Sequence, residues 1–284
     1  MRTARGCQFS CAYCTYPIFA GQHECTAIDS IEREMNQLQA NSVRYIIFVD
    51  DSFNIPLNRF KAICEMMIRN QYDFRWISFF RCVKVDDSLV SLMKQSGCMG
   101  VYLGIESLNK TVLTNMKKGG LDYFACIDLF NKYEILTLGS LIVGFPGETG
   151  ESIKETIDLF NEHPTTFYNP QLYYHSTLAP IHKRAKEFNI TGHSYAWSHS
   201  SMDWQEAAKW KSYMIRNVKN SILLPLYSSG IWALPYLIEQ GISKDFFIEF
   251  SAFVAEQIKS GIDEKYKSHE QISKEFQSLR SLPN

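Results

Sequence analysis

Three cysteines near the start of the chain have the residue type and the spacing to bind an inorganic centre. Cys7, Cys11 and Cys14 stand four and then three residues apart, so a single loop can wrap three thiolates around one cluster. Electron-transfer clusters are usually held by four cysteines. Three thiolates leave a four-iron cluster one ligand short, and the open iron can take a small molecule. The alternatives are a zinc site with Cys25 as the fourth ligand, or buried free thiols.

The composition of the chain limits its possible functions. It has 284 residues, 45% of them hydrophobic, enough for one large domain or a domain with an appendage. A net charge of −1 gives no basic surface for nucleic acid or anionic lipid, so a small-molecule substrate is favoured. Eight irregularly spaced cysteines do not form a secreted disulfide framework, and no run is apolar enough to span a membrane. We therefore expect a soluble, cytoplasmic protein.

Short apolar runs alternate with amphipathic segments about every thirty residues, which predicts repeated strand–helix units. The predicted strands are residues 3–5, 45–49, 76–80, 101–105, 138–143 and 172–174. Such repeats form parallel strands with right-handed crossovers. Six units fit residues 1–190, too few to close an eight-stranded barrel. The functional site is expected where the carboxyl ends of the strands meet, and the cysteine loop follows the first strand.

Charged residues follow three of the predicted strands. Asp50 follows the second strand, Arg81 the third and Glu106 the fourth. Gly104 beside Glu106 admits close backbone approach to a ligand. Each of these residues also has a structural interpretation, as a turn former, a surface salt bridge or a buried structural carboxylate. The sequence alone predicts only that they lie at the same edge of the sheet.

The cysteine motif C-x3-C-x2-C, with Tyr13 before its last cysteine, resembles the signature of the radical S-adenosylmethionine (SAM) superfamily. The stretch GIES at 104–107 and the turn GFPGET at 144–149 resemble further stretches of that family. The resemblance implies an α/β fold, a partial (β/α)6 TIM-like barrel over residues 1–190. It also implies a 4Fe-4S cluster on Cys7, Cys11 and Cys14, whose open iron chelates the amino and carboxylate groups of SAM.

The same resemblance implies which side chains contact the cofactors. Tyr13 would pack on the adenine of SAM, although a core aromatic is the alternative. The backbone of the turn after the fifth strand would approach the ribose or the adenine edge. The expected cofactor-binding residues are Tyr13, Asp50, Arg81, Glu106, Ser140 and Gly144.

Beyond the sixth predicted strand the sequence changes character. Residues 191–284 predict a helical C-terminal appendage, with helices at 210–224, 232–239 and 246–258. The loop 195–204 is rich in tyrosine, tryptophan and histidine, which indicates either a substrate cap or a satellite core. His175 and His199 are candidate acid–base catalysts, although a lone histidine is more often a structural hydrogen-bonding residue.

The motifs together most resemble cobalamin-dependent radical SAM methyltransferases, with the phosphinate P-methyltransferases as the nearest branch. The resemblance implies reductive cleavage of SAM to a 5'-deoxyadenosyl radical, with electrons from a flavodoxin- or ferredoxin-type donor. Cobalamin would then deliver a methyl group to an unactivated carbon or a phosphinate centre.

Such enzymes usually carry a cobalamin-binding domain before the barrel, whereas this chain begins at its first predicted strand. We therefore expect that domain upstream in a longer enzyme or in a separate protein. On this expectation the chain cleaves SAM poorly and does not methylate by itself. Two alternatives stand beside this interpretation: a cobalamin-free radical SAM enzyme, and a zinc-stapled binding module without catalysis.

Overall fold

The computed structural model describes residues 1–119, 121–224, 230–263, 267–268, 271–272, 274–275 and 277. The elements of the first half are β1 (Ala4–Arg5), α1 (Tyr16–Ala20), β2 (Glu24–Cys25), α2 (Ile28–Ala40), β3 (Tyr45–Phe48), α3 (Leu57–Arg69), β4 (Arg75–Phe80), α4 (Asp87–Gln95), β5 (Cys98–Glu106), α5 (Lys110–Asn115), α6 (Tyr123–Lys132) and β6 (Leu136–Val143). The second half contains α7 (Gly150–Glu162), β7 (Phe167–Leu172), α8 (Ala185–Phe188), β8 (Thr191–His193), β9 (Ala196–Ser198), α9 (Trp204–Asn217), β10 (Ile222–Leu223), α10 (Leu234–Glu239) and α11 (Lys244–Ile262).

Six of these strands form one sheet in the spatial order β10-β7-β6-β5-β4-β3, and every neighbouring pair is parallel. Helices α2, α3, α4, α6 and α7 connect the strands and bury their apolar stripes on the outer face of the sheet. The predicted strands at 45–49, 76–80, 101–105 and 138–143 therefore lie where the apolar runs placed them. The strand predicted at 172–174 lies earlier in the chain, since β7 begins at Phe167 and ends at Leu172. Asn169 and Pro170 interrupt the apolar pattern, so the sequence did not indicate where this strand begins.

Both ends of the predicted set of six strands needed correction. Residues 3–5 do not open the main sheet, because β1 pairs antiparallel with β2 in a separate two-stranded sheet. The chain start still lies beside β3: the amino group of Met1 donates to the carbonyl of Ile47 at 2.8 Å. The sixth strand is β10, within a segment predicted as the end of a helix. Helix α9 ends at Asn217, and the open edge of β7 then pairs with Ile222 and Leu223.

The C-terminal region packs into the inner face of the sheet rather than standing apart from it. Ile231, Leu234 and Phe247 join Ile77 and Phe167 in one buried apolar cluster. A Cβ atom at Gly100 on β5 would lie 2.8 Å from Ile231 Cδ1. Ile231 can therefore pack this close to the sheet only because residue 100 is a glycine. Neither the sheet nor its core therefore ends at the expected boundary of residue 190. Among the described residues, no helix is long and apolar enough to cross a lipid bilayer.

Candidate active site

A cavity of about 730 Å³ opens at the carboxyl ends of the central strands. Its walls include Arg81 after β4, Glu106 at the end of β5 and Leu172 at the end of β7. The three cysteines Cys7, Cys11 and Cys14 line the same cavity. Cys25 instead lies exposed on β2, with its sulfur 4.0 Å from His23 Nδ1. The loop thus brings to the strand ends the three cysteines that the spacing singled out.

The three thiols face one cavity without converging on one point. No three Cys, His, Asp or Glu side chains among the described residues lie close enough to hold a single metal ion. In a four-iron cluster each cysteine binds a different iron, so the ligands need a common cavity rather than a common centre. Burial raises the pKa of the Cys14 thiol, so a metal bound there has to displace a proton.

Arg81 supplies a fixed positive charge beside the cysteines. One of its terminal nitrogens, Nη1, lies 3.6 Å from Cys11 Sγ. The guanidinium also stacks over the ring of Phe9, at 3.7 Å from the centroid. Its Nε is buried and has no hydrogen-bond partner among the described residues. The guanidinium as a whole lines the cavity and can pair with an anionic group there, such as a sulfide or a carboxylate.

Glu106 is the centre of a buried hydrogen-bond network on the cavity wall. Its Oε1 accepts from the Tyr13 hydroxyl at 3.0 Å and from Lys118 Nζ at 2.9 Å, and Lys118 also donates to the Tyr13 oxygen at 3.1 Å. Glu106 is 8% exposed and Lys118 4%. The second oxygen, Oε2, has only Ser140 Oγ at 3.5 Å as a partner among the described residues. One carboxylate oxygen is thus held by the fold while the other faces the cavity side.

The backbone of β5 is shaped to present this carboxylate. Glu106 has a φ of +67°, and the pairing with β6 shifts register between Gly104 and Glu106. A Cβ atom at Gly104 would lie 2.8 Å from both Glu106 Oε1 and Lys118 Nζ. Gly104 is therefore required by the ion pair. Sequence reasoning missed Lys118, since it lies in a polar stretch after α5, away from any predicted strand end.

Asp50 and Gly144, two of the expected cofactor-binding residues, do not reach the cavity wall. Asp50 is 1% exposed and its carboxylate accepts from both the backbone N–H, at 2.6 Å, and the hydroxyl of Thr3. The neighbouring Asp51 lines the cavity instead, and burial raises the pKa of its carboxyl group. Gly144, at φ +91°, lies under Trp197, whose ring would be 2.6 Å from an added Cβ. Both residues therefore support the fold, and their contact with a cofactor stays a prediction.

The two candidate catalytic histidines are also tied to the fold. His175 is 2% exposed and bonds to the carbonyl of Gly192 through Nδ1 at 3.0 Å. His199 donates from Nε2 to the carbonyl of Gly144 at 3.0 Å and stacks on Trp197. Burial lowers the pKa of both imidazoles, so each is a neutral hydrogen-bonding group at pH 7. Neither lines the cavity, so the structure favours the structural interpretation, and an acid–base role stays a prediction.

The aromatic loop divides between the two interpretations that its sequence left open. Trp197 is 2% exposed and donates from Nε1 to the carbonyl of Tyr173 at 2.8 Å, as a core residue does. Tyr195 is exposed and lines the cavity mouth together with Tyr174, their ring centroids 5.1 Å apart. One part of the loop is therefore a satellite core and the other part borders the cavity.

Comparison with known proteins identifies the family of this chain. Residues 1–160, more than half of the chain, match the family model described as the radical SAM superfamily. An uncharacterized methyltransferase of Pyrococcus horikoshii is 30% identical over 161 residues, which cover 55% of this chain and 35% of that protein. The ribosomal protein uS12 methylthiotransferase RimO of Desulforamulus reducens is 30% identical over 177 residues, covering 57% of this chain and 39% of that protein. The chain thus spans little more than a third of these curated relatives.

A solved structure of the radical SAM methyltransferase TsrM from Kitasatospora setae, with cobalamin and a [4Fe-4S] cluster bound, has a similar fold. The TM-score is 0.60 at 22% sequence identity, over 66% of this chain and 39% of that one. The likeness confirms the predicted partial barrel, including its parallel six-stranded sheet.

Proposed function

Because this chain belongs to the radical SAM superfamily, we propose that it is the catalytic core of a cobalamin-dependent radical SAM methyltransferase. The observation that carries the proposal is that Cys7, Cys11 and Cys14 share one cavity with the Glu106–Lys118–Tyr13 network. The methyl acceptor on this proposal is an unactivated carbon or a phosphinate centre. The cobalamin part rests on the bound cobalamin named for TsrM and on the motifs that resemble such methyltransferases.

The residues present suit an iron–sulfur cluster and SAM. The three cysteines supply thiolates from one loop, and Arg81 points a donor at Cys11 Sγ, as the protein surroundings of such clusters commonly do. When bound, the cluster supplies the electron that splits SAM into methionine and a 5'-deoxyadenosyl radical. Cobalamin, where it is used, supplies the methyl group.

The remaining work falls to side chains that bind, orient and exclude water. On this proposal Glu106 Oε2 accepts from the ammonium group of SAM, since Oε1 already accepts from Tyr13 and Lys118. The Arg81 guanidinium, which lines the same cavity, pairs with the SAM carboxylate. Lys118 Nζ lies 2.9 Å from Glu106 Oε1 in this buried wall and fixes the orientation of the carboxylate. Aromatic side chains, including Tyr13 edge-on to Phe145 at 6.4 Å, keep the site dry.

Anaerobic reconstitution tests the proposal directly. The full chain is loaded with iron and sulfide, mixed with SAM and dithionite, and assayed for 5'-deoxyadenosine and methionine. We expect a brown, iron-containing protein that forms both products slowly. A colourless protein that retains zinc and no iron would overturn the proposal in favour of a zinc-stapled module.

A second measurement tests the cobalamin part alone. Methylcobalamin is titrated into the reconstituted chain, with and without a candidate cobalamin-binding protein. Methyl transfer that depends on cobalamin supports the proposal. Robust product formation without any cobalamin would instead favour a cobalamin-free radical SAM enzyme, and would leave the radical SAM assignment intact.

A further inference from the structure

Strand β7 carries two carboxamides on the side of the sheet that faces the cavity. Side chains alternate along this strand. Tyr168 lies on the outer face, where its hydroxyl donates to a carbonyl of α9 at 3.2 Å, whereas Phe167 packs in the inner apolar cluster. Asn169 and Gln171 follow Phe167 at two-residue steps and therefore share its face. We call this pair the amide row.

The sheet register places the amide row beside the cavity, where Gln171 lines the wall and Asn169 does not. Asn169 pairs with Ser140 and Gln171 with Ile142, and both β6 residues line the cavity, as does Gln171 itself. Asn169 is only 4% exposed. In the described part of the chain, neither side-chain amide has a hydrogen-bond partner. Gln171 is only half-buried and lines the cavity, so a ligand group can replace water at its amide.

Aromatic rings of β4 and β5 line the cavity on the same face of the sheet as the amide row. Phe79 of β4 and Tyr102 of β5 line the cavity with their ring centroids 5.0 Å apart. Trp232 from the C-terminal region stacks behind Tyr102 at 6.1 Å, with the two rings 11° from parallel. Neither residue that pairs with the amide row across the strand is charged. Charged groups follow on β5: Glu106 Oε2 lies 3.5 Å from Ser140 Oγ, the residue that pairs with Asn169, and Glu106 is bound to Lys118.

Resting on the proposed function, we propose that the amide row recognises the methyl-acceptor substrate, and that this substrate is an uncharged planar compound with a carboxamide, lactam or similar edge. A primary carboxamide offers two donors and one acceptor, so it pairs with a group that presents a donor beside an acceptor. The aromatic rings of Phe79 and Tyr102 give the planar body an apolar surface. The Glu106 carboxylate beside Ser140 disfavours a second carboxylate at the amide row.

Matched probes test this inference on the full, reconstituted chain. 1-Naphthamide and 1-naphthoate have the same planar body, and their binding is measured anaerobically by equilibrium dialysis in the presence of SAM. We expect naphthamide to bind more tightly than naphthoate. Gln171→Leu should weaken naphthamide binding by about three- to tenfold, since one neutral hydrogen bond is lost. Gln39→Leu, an exposed amide on α2, should change nothing.

A second variant keeps the test decisive if the first one is poorly folded. Gln171→Lys adds a cation at the same place and should reverse the preference toward naphthoate. Equal affinity of the two probes, or no binding of either, would overturn the inference. A loss of SAM affinity in Gln171→Leu as large as the loss for naphthamide would also overturn it, because the amide would then serve SAM. SAM cleavage in the same samples is read separately: a naphthamide preference without cleavage contradicts only the proposed function.

Discussion

Polar residues follow β5 and β6 alike, yet the two strand ends serve different purposes. At the end of β5, Glu106 is bound by Tyr13 and Lys118, which come from distant loops and line the cavity with it. At the end of β6, Glu148 accepts from the backbone N–H of Gly144 at 2.5 Å, and His199 donates to the carbonyl of the same glycine. The first group leaves a carboxylate oxygen toward the cavity. In the second group, Glu148 and His199 make their hydrogen bonds to the backbone of Gly144.

The difference shows what a strand end does and does not reveal. A sequence shows which polar residues follow a strand. Whether such a residue can bind a ligand depends on how many of its hydrogen bonds are already made within the protein. The turn 144–149 is held together by its own hydrogen bonds, with Thr149 and Ser152 forming a reciprocal cap at the start of α7. Its motif is therefore a strong marker of the fold and a weak marker of contact with the cofactor.

The largest expected effect separates the cysteines that line the cavity from one that does not. Cys11→Ala should abolish binding of the iron–sulfur cluster, because a thiolate ligand is lost. Cys25→Ala, in an exposed cysteine of the same region, should leave iron and sulfide content unchanged. Both are measured per chain after anaerobic reconstitution. If Cys25→Ala loses iron as fully as Cys11→Ala, the site uses four cysteines and the open-iron argument fails.

The next effect tests whether Glu106 serves a ligand as well as the fold. Glu106→Gln keeps the shape and removes the charge, so SAM affinity should fall by about ten- to a hundredfold, the value of one charge-assisted hydrogen bond. Glu34→Gln, on the exposed side of α2, is the matched control. Affinity is measured by isothermal titration of the iron-replete proteins. Unchanged SAM affinity in a folded Glu106→Gln would make this network structural, like that of Glu148.

The smallest effect concerns stability at the end of β6. Burial raises the pKa of Glu148 from its ordinary value of 4.5 to about 8. The folded state therefore holds a proton that the unfolded state has lost between these pH values, and stability falls as pH rises. The unfolding free energy of the wild type should fall relative to Glu148→Gln by up to about 1.4 kcal/mol per pH unit. Urea denaturation from pH 5 to 8 measures it, and parallel curves would contradict the buried, protonated carboxyl.

The sequence predicted the grouping of the three cysteines and the centre of the sheet because both depend on local spacing. Cys7, Cys11 and Cys14 lie within one loop, and the strands β3 to β6 are continuous apolar runs. Strand β10 could not be predicted, because a strand of two residues is too short to show an alternation of apolar and polar residues. It forms because it can pair with the open edge of β7. Lys118 was missed for a related reason: its partner Glu106 is reached through the fold and not through the sequence.

Two aspartates follow β3, and the sequence alone does not show which of them lines the cavity. Asp50 and Asp51 are adjacent and identical, so a pattern cannot choose between them. The strand has ended before Asp50, and Asp51 already lies in the turn 51–54, so the two side chains have different surroundings. Asp50 accepts from Thr3 and holds the chain start, whereas Asp51 lines the cavity. The carboxylate that lines the cavity is thus one residue away from the predicted one.

Trp232 has a consequence for redesign of this molecule. It supports Phe79 and Tyr102 from behind, with ring centroids 4.8 and 6.1 Å away, although it lies more than two hundred residues from the cysteine loop. The depth of the cavity is thus set by a segment that makes no part of the metal-binding loop. Trp232→Ala would deepen the space under the two rings while the cysteine loop stays as it is, so acceptance of larger substrates can be engineered separately from electron transfer.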